Sequence, residues 1–329
     1  MRFSLELAAW LKDRTRQGAS RVEADALTAC WSDHPLFKEL RTDLAAAATG
    51  DAKAIREAAE RFMDRLEDVD HIISELIRRA AADPFFCPPL APVVTEINTG
   101  FLLVAEPSLT IGLGVIGADA LAAKKLSASG ATAITFTGLV TSYRFLKAGG
   151  AVMSFWEAPE ASADFSSDIG RTCRFAGRRR IEDGEALVVD GRRQSLVIEH
   201  LTSDMLCLQA TVQVEGAPLA IDYDSSSLRY LGATSTDEAS SRTQMMVTLL
   251  RLMDRADAMP VIAQALESPH FYTRWHVMRE MLALDSEAAL PSLRRMAAAD
   301  PHPEVRFAAM QALSLFFEDE KEELLLCRA

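Results

Sequence analysis

Pro269-His270-Phe271-Tyr272-Thr273-Arg274-Trp275-His276-Val277-Met278-Arg279-Glu280-Met281 is followed, thirty-two residues on, by Pro301-His302-Pro303-Glu304-Val305-Arg306-Phe307-Ala308-Ala309-Met310-Gln311-Ala312-Leu313. Pro, His, Arg and Met coincide, and Met281 falls opposite Leu313; one more step back reaches Arg242, Met246 and Leu249. Apolar residues at i, i+3 and i+4 inside a unit of this length describe helix pairs. Each pair can bury its apolar face only against the next, which is how helical solenoids are encoded. The spacing predicts three consecutive helix pairs over residues 236–317, with Met246, Met278 and Met310 buried at equivalent positions.

The repeat resembles the HEAT family. In the last unit Ala289-Leu290-Pro291-Ser292-Leu293 opens a first helix, Asp300-Pro301-His302-Pro303 makes the turn, and Glu304-Val305-Arg306-Phe307-Ala308-Ala309 opens the second. This reproduces the Asp-x-x-x-x-Val-Arg run that family members commonly carry. The unit before it departs, with Thr273-Arg274-Trp275 for Val-Arg-x and Ser268 for the Asp, and the first keeps only Arg242 and the apolar spacing. The resemblance spans residues 236–317 and implies a scaffold or binding surface rather than a chemistry.

Upstream of the repeats the period changes. Between residues 93 and 232 it falls to 2, or to short apolar runs bounded by glycine, which marks β strands. The predicted strands are 100–104, 108–115, 131–140, 142–146, 151–157, 172–175, 185–190, 194–200, 205–214 and 217–223, with one helical insert at 118–128. Closely spaced strands with one helix fit a two-sheet antiparallel architecture, and the expectation is a jelly-roll β sandwich. Ser127-Ala128-Ser129-Gly130 reads as a turn.

Residues 1–82 are helical in pattern, with turn signals at Ser32-Asp33-His34-Pro35 and Thr49-Gly50-Asp51. Ile55, Ala58, Phe62, Leu66, Val69, Ile73 and Leu76 recur at three- and four-residue spacing. They predict a single amphipathic helix from Asp51, its cap, to Ala82. The prolines of Asp83-Pro84-Phe85-Phe86-Cys87-Pro88-Pro89, then Pro92, close the helical region. The resulting fold class is multidomain α+β: a helical N-terminus over 1–92, a jelly-roll sandwich over 93–232 and a HEAT-like α solenoid over 233–329.

Within the sandwich, Arg144–Glu157 followed by Ile181–Gly191 resembles the strand, turn and strand order of the cupin superfamily. Asp183-Gly184-x5-Asp190-Gly191 imitates the spacing of the two turns that in that family precede a metal-binding His. That His position is Gln194 here, and the paired His-x-His of the family's first motif is absent. A metallo-cupin needs about three inward imidazoles and a carboxylate to replace a metal's hydration shell. The strands offer only His200, and Glu199 beside it points to the opposite face of a regular strand. No metal or other cofactor is therefore expected. Gly-x-Ser-x-Gly does not occur, and Gly112, Gly114 and Gly117 spell G-x-G-x-x-G without the acidic ribose ligand of a dinucleotide site. They read instead as glycines that let strands approach closely.

The candidate residues fall in two groups. If the sandwich holds a cavity, Arg144, Trp156, Gln194 and His200 would suit an anion with an apolar body. On the solenoid, Phe271-Tyr272-Thr273-Arg274-Trp275-His276 gathers aromatic and cationic groups of the kind that grip partners. His270, Phe271, Tyr272, Trp275 and His302 are the expected contacts, while Arg274 and Arg306, sharing one repeat position, read as a structural ladder.

Composition bounds the partners. The 329 residues carry 47 acidic against 35 basic side chains, a net charge of −12, which disfavours nucleic acid. The runs Arg178-Arg179-Arg180 and Arg192-Arg193 lie beside carboxylates and read as solvated hairpin tips. Five scattered cysteines, Cys30, Cys87, Cys173, Cys207 and Cys327, without a CxxC pair, fit a reducing compartment. Glu6, Lys12 and Asp13 fall where a signal peptide needs its apolar core, and no uncharged apolar run is long enough to span a membrane. The expectation is a cytoplasmic protein that recognises a protein or peptide, including a second copy of itself. The alternative is an enzyme acting on a small molecule or peptide in the sandwich cavity without the multi-His metal site.

Overall fold

The computed structural model describes residues 5–47, 50–83, 85–127, 133–160 and 171–316. The turn at Ala128-Ser129-Gly130 and Cys327 lie outside them. The chain folds into two compact units, Met1–Pro159 with Cys173–Gly216 and Asp224–Leu228, and Glu160–Thr172 with Ala217–Tyr223 and Arg229–Ala329.

The first unit opens with helices α1 (Leu5–Trp10), α2 (Arg14–Asp33), α3 (Pro35–Ala46), α4 (Ala52–Asp64) and α5 (Leu66–Ala82). Asp51 caps α4 as the sequence indicates, its Oδ1 accepting from the Ala54 amide at 2.9 Å. The single helix expected from Asp51 to Ala82 is two. The chain leaves helical geometry at Arg65 (φ −82°, ψ 63°), whose guanidinium bonds Asp68 and Glu39. An unbroken helix of that length would run to about 48 Å, longer than the core can follow. The bend lets Ile55, Phe62 and Met63 on α4 and Val69 and Ile72 on α5 enter one cluster, each large side chain contributing about 1.5–3 kcal/mol by leaving water.

Strands follow: β1 (Ala91–Val94), β2 (Asn98–Glu106), β3 (Leu109–Ile116), then α6 (Ala118–Ser127), β4 (Ala133–Phe136), β5 (Val140–Lys147), β6 (Val152–Glu157), β7 (Arg174–Arg180), β8 (Ala186–Asp190), β9 (Gln194–His200) and β10 (Met205–Val212). A six-stranded antiparallel sheet runs β1-β2-β3-β10-β5-β8, and a three-stranded one runs β7-β6-β9. Period-2 alternation gives the large sheet two apolar faces. Leu208, Ala210 and Val212 join Leu109 and Ile111 against the N-terminal helices, while Cys207 and Phe145 join Met153 and Leu196 from the small sheet. The sheet is thus covered by helices on one side and by strands on the other.

Three readings of the strand region change. The run 131–140 is broken by a turn at Gly138 (φ +77°), so β4 ends at Phe136 and β5 begins at Val140. Arg178-Arg179-Arg180 is the end of the exposed outer strand β7, not a hairpin tip. β1 was hidden by Pro92, which an edge strand tolerates because no ladder bond is lost on its open side.

The second unit contains β11 (Leu219–Asp224) and β12 (Tyr230–Ser235), paired antiparallel, then α7 (Glu238–Leu252), α8 (Met259–Gln264), α9 (Phe271–Leu284), α10 (Ser286–Ala299) and α11 (Pro303–Phe316). Val247, Ile262, Val277, Met278, Met281, Leu293, Val305 and Leu313 form its core. The three expected helix pairs are incomplete. Helices α7, α9 and α11 repeat one position, yet only α8 and α10 occupy the other among the described residues. Met278 is fully buried and Met310 half-buried, but Met246 is 58% exposed.

The side-chain ladder between units also differs along the array. Arg274 forks onto Asp300, twenty-six residues on, at 2.8 and 2.7 Å. The same step from Arg242 reaches Ser268, which has no carboxylate, and Arg242 turns outward to Glu238 at 2.5 Å.

Candidate functional site

Two concavities bring chemistry-bearing side chains together, one in each unit. In the first, a cavity of about 220 Å³ lies between the large and small sheets. Phe101, Gly112, Gly114, Tyr143, Phe145, Met153, Leu196, Ile198 and Cys207 are among its walls. Gly114 is what admits Asn98: a Cβ there would lie 2.7 Å from Asn98 Oδ1, an atom that is buried without a hydrogen-bond partner. Burial pushes the Tyr143 phenol up to about 12 and the Cys207 thiol up to about 11. Both stay protonated at neutral pH, so the walls can enclose an apolar body and offer it hydrogen bonds.

The four residues singled out for that cavity are elsewhere. Arg144 points from the opposite face of β5 and pairs with Asp64 at 3.0 Å. Trp156, on the face of β6 opposite Met153 and Phe155, packs edge-on against Phe175, at 5.2 Å between ring centres. Gln194 is exposed and accepts from the Asp190 amide at 3.2 Å, and His200 is exposed at the end of β9. Tyr143 and Phe145, the immediate neighbours of Arg144, line the cavity because alternation along a strand turns adjacent residues to opposite faces. Among the described residues no group of three His, Cys, Asp or Glu side chains is arranged to hold a metal ion.

In the second unit a cleft of about 580 Å³ opens between successive repeat turns, Ser268–Phe271 and Asp300–His302, over Ser292, Arg295 and Met296 of α10. Its frame is the ladder. Arg274 also donates to the carbonyls of Ser268 and Pro269 at 2.9 and 3.1 Å, and Arg306 repeats this one unit on, to Asp300 and Pro301 at 2.6 and 3.1 Å. Burial works to raise the Asp300 carboxyl, but the bonds from Arg274 and from the His302 amide, at 2.8 Å, hold it below the usual carboxylate range. His302 stacks on Phe271 at 3.9 Å with the planes 10° apart. Only 5% of His302 is exposed, and neither ring nitrogen has a partner.

The five expected partner contacts therefore divide. Phe271 and His302 meet in the cleft. His270 and Tyr272 stack together at 5.3 Å on a separate face, where Tyr272 Oη bonds Ser235 Oγ at 3.0 Å and donates to the Pro218 carbonyl at 3.2 Å. His270 lies 3.8 Å from the Asp237 carboxylate, which bonds from the Ser240 side chain and amide hold low. Trp275 is half-buried against the helical core. Ser292 and Arg295 escaped the sequence reading. Their signal is position alone, on the outer surface of a first helix beside the repeated spacing of the two turns.

A family model described as HEAT repeats matches residues 231–314. No curated protein matches the chain. Solved structures similar to part of it include ectoine synthase from P. lautus, 14% identical, covering 37% of this chain and 67% of that one at a TM-score of 0.23. KdgF from Halomonas sp. is 13% identical, with 36% and 83% covered and a TM-score of 0.23. The Schizosaccharomyces pombe Cnp3 cupin domain is 10% identical, with 36% and 63% covered and a TM-score of 0.22. Among the described residues no helix is long and apolar enough to cross a membrane.

Proposed function

We propose that the chain is a recognition scaffold whose C-terminal helices hold a segment of another polypeptide in the cleft between the Ser268–Phe271 and Asp300–His302 turns. The observation that carries this is the Phe271–His302 stack on the wall of a cleft that the Arg274–Asp300 pair braces and that Ser292 and Arg295 line. Aromatic anchors beside accessible polar side chains are what an incoming peptide can use, through one side chain packed in the cleft and hydrogen bonds to the polar groups. The HEAT match over 231–314 supports the same class. In this reading the protein is cytoplasmic and divides at 1–92, 93–232 and 233–329, the middle part being a jelly-roll, cupin-like sandwich that supplies a second apolar surface.

The test is selection of a displayed random-peptide library on the full chain. Enriched peptides should share a motif and lose at least about tenfold in affinity, or 1.4 kcal/mol, with Arg295→Glu or Phe271→Ala, provided circular dichroism shows both variants folded. Failure to enrich any motif, or peptides that bind both variants undiminished, would remove the cleft from the reading.

A further inference from the structure

Helix α7 carries the array's repeat but not its burial. Met245, Met246 and Leu249 stand thirty-two residues before Val277, Met278 and Met281, which are buried to 1% exposure or less, and sixty-four before Ala309, Met310 and Leu313. On α7 those three, with Leu252 and Met253, are between 49% and 72% exposed. At about 100° per residue the five fall on one arc of roughly 120°. Five such side chains amount to on the order of 500 Å² of apolar surface, the scale at which an exposed patch marks an interaction site. The array begins on a second helix, so the positions later units close internally remain open here. The buried Val247 on α7's other face already joins the core.

The stripe identifies its own occupant. It is symmetric about Leu249: Met245 and Met253 are four residues to either side, Met246 and Leu252 three. Two copies of α7 laid antiparallel about an axis through Leu249 set Met245 against Met253, Met246 against Leu252 and Leu249 against itself. A two-fold interface requires this self-complementary arrangement. Arg242 lies on the same arc, one turn before Met246, and pairs with Glu238 on its own helix. Methionine suits such a seam because its flexible thioether fills irregular gaps. We infer that the protein is a homodimer joined by antiparallel α7 helices across Met245, Met246, Leu249, Leu252 and Met253. This surface is separate from the peptide cleft, and neither proposal depends on the other.

Light scattering after size-exclusion chromatography tests it, over about 1–100 μM, the range in which a micromolar dimer titrates. The full chain should approach twice its 36.0 kDa mass. Leu249→Glu should stay at the monomer mass throughout with an unchanged helical circular-dichroism signal, because the side chain it replaces is solvent-exposed within the protomer. Register is tested in a background with Cys30, Cys87 and Cys327 changed to Ser. Leu249→Cys should cross-link to itself on mild oxidation, whereas Met246→Cys should cross-link efficiently only when mixed with Leu252→Cys. A full chain at the monomer mass at every concentration overturns the proposal and leaves the stripe to a different polypeptide. A Leu249→Glu variant that still dimerises, or a Leu249→Cys variant that does not cross-link, overturns it equally.

Discussion

At the scale of single residues the second unit turns on one ion pair. Arg274 and Asp300 leave only 9% and 4% of their side chains exposed, and each satisfies the other in a two-bond fork. Removing one partner of such a pair leaves the other charge buried and uncompensated, at about 3–5 kcal/mol. Asp300→Asn should lower the stability of the helical array by that amount in urea unfolding. Its folded carboxyl titrates below the ordinary 3.8, so the unfolded chain takes up the proton first. The contribution is complete above about pH 4 and is lost as pH falls through the lower folded value. Between pH 7 and pH 3 the wild-type array should therefore weaken more than the Asn variant, narrowing the gap between them. A gap independent of pH would show that Asp300 acts through shape rather than charge.

At the scale of elements, close approach governs the strands. Gly100 pairs with Gly114 across β2 and β3, and a Cβ at Gly100 would lie 2.1 Å from the Leu113 carbonyl oxygen. At Gly114 the obstacle is the movable Asn98 amide. Gly100→Ala should lower the melting temperature clearly, by the few kcal/mol of a core overpacking, and Gly114→Ala by less; the reverse order would contradict the strand register. Gly114 was readable as a strand contact, and the ladder arginines as a repeat, because both signals are local spacings, whereas Gly100 carried no such mark. What escaped the sequence had no local mark. Apolar periodicity runs straight through Arg65, so the helix break is invisible. The small and polar Gly232-Ala233-Thr234 gave β12 no apolar alternation to announce it. Arg144 and Tyr143 lie one residue apart, so the strand could be found while the cavity's lining was assigned to its neighbour.

At the scale of the whole molecule, net charge sets an expectation about polyanions. The net −12 sets a repulsive field for polyanions. The densest basic segment, β7, does not escape it, although its arginines are exposed. Arg174 pairs with Glu157, Arg178 lies 3.8 Å from Glu199, Arg179 2.5 Å from Glu185 and Arg180 3.9 Å from Glu182. A nucleic-acid surface must instead neutralise phosphates with cations that have no nearer carboxylate, releasing counterions as it binds. Fluorescence anisotropy of a labelled duplex DNA should therefore stay flat with the wild-type protein at about 150 mM salt, where screening still leaves a field over about 8 Å. Glu182→Gln, Glu185→Gln and Glu199→Gln combined remove three negative charges around one strand, and should produce weak binding that fades as salt rises. If the unmodified protein already binds, and binding falls with Arg178→Ala or Arg179→Ala, then the local arginines outweigh the global charge and β7 is itself a polyanion surface.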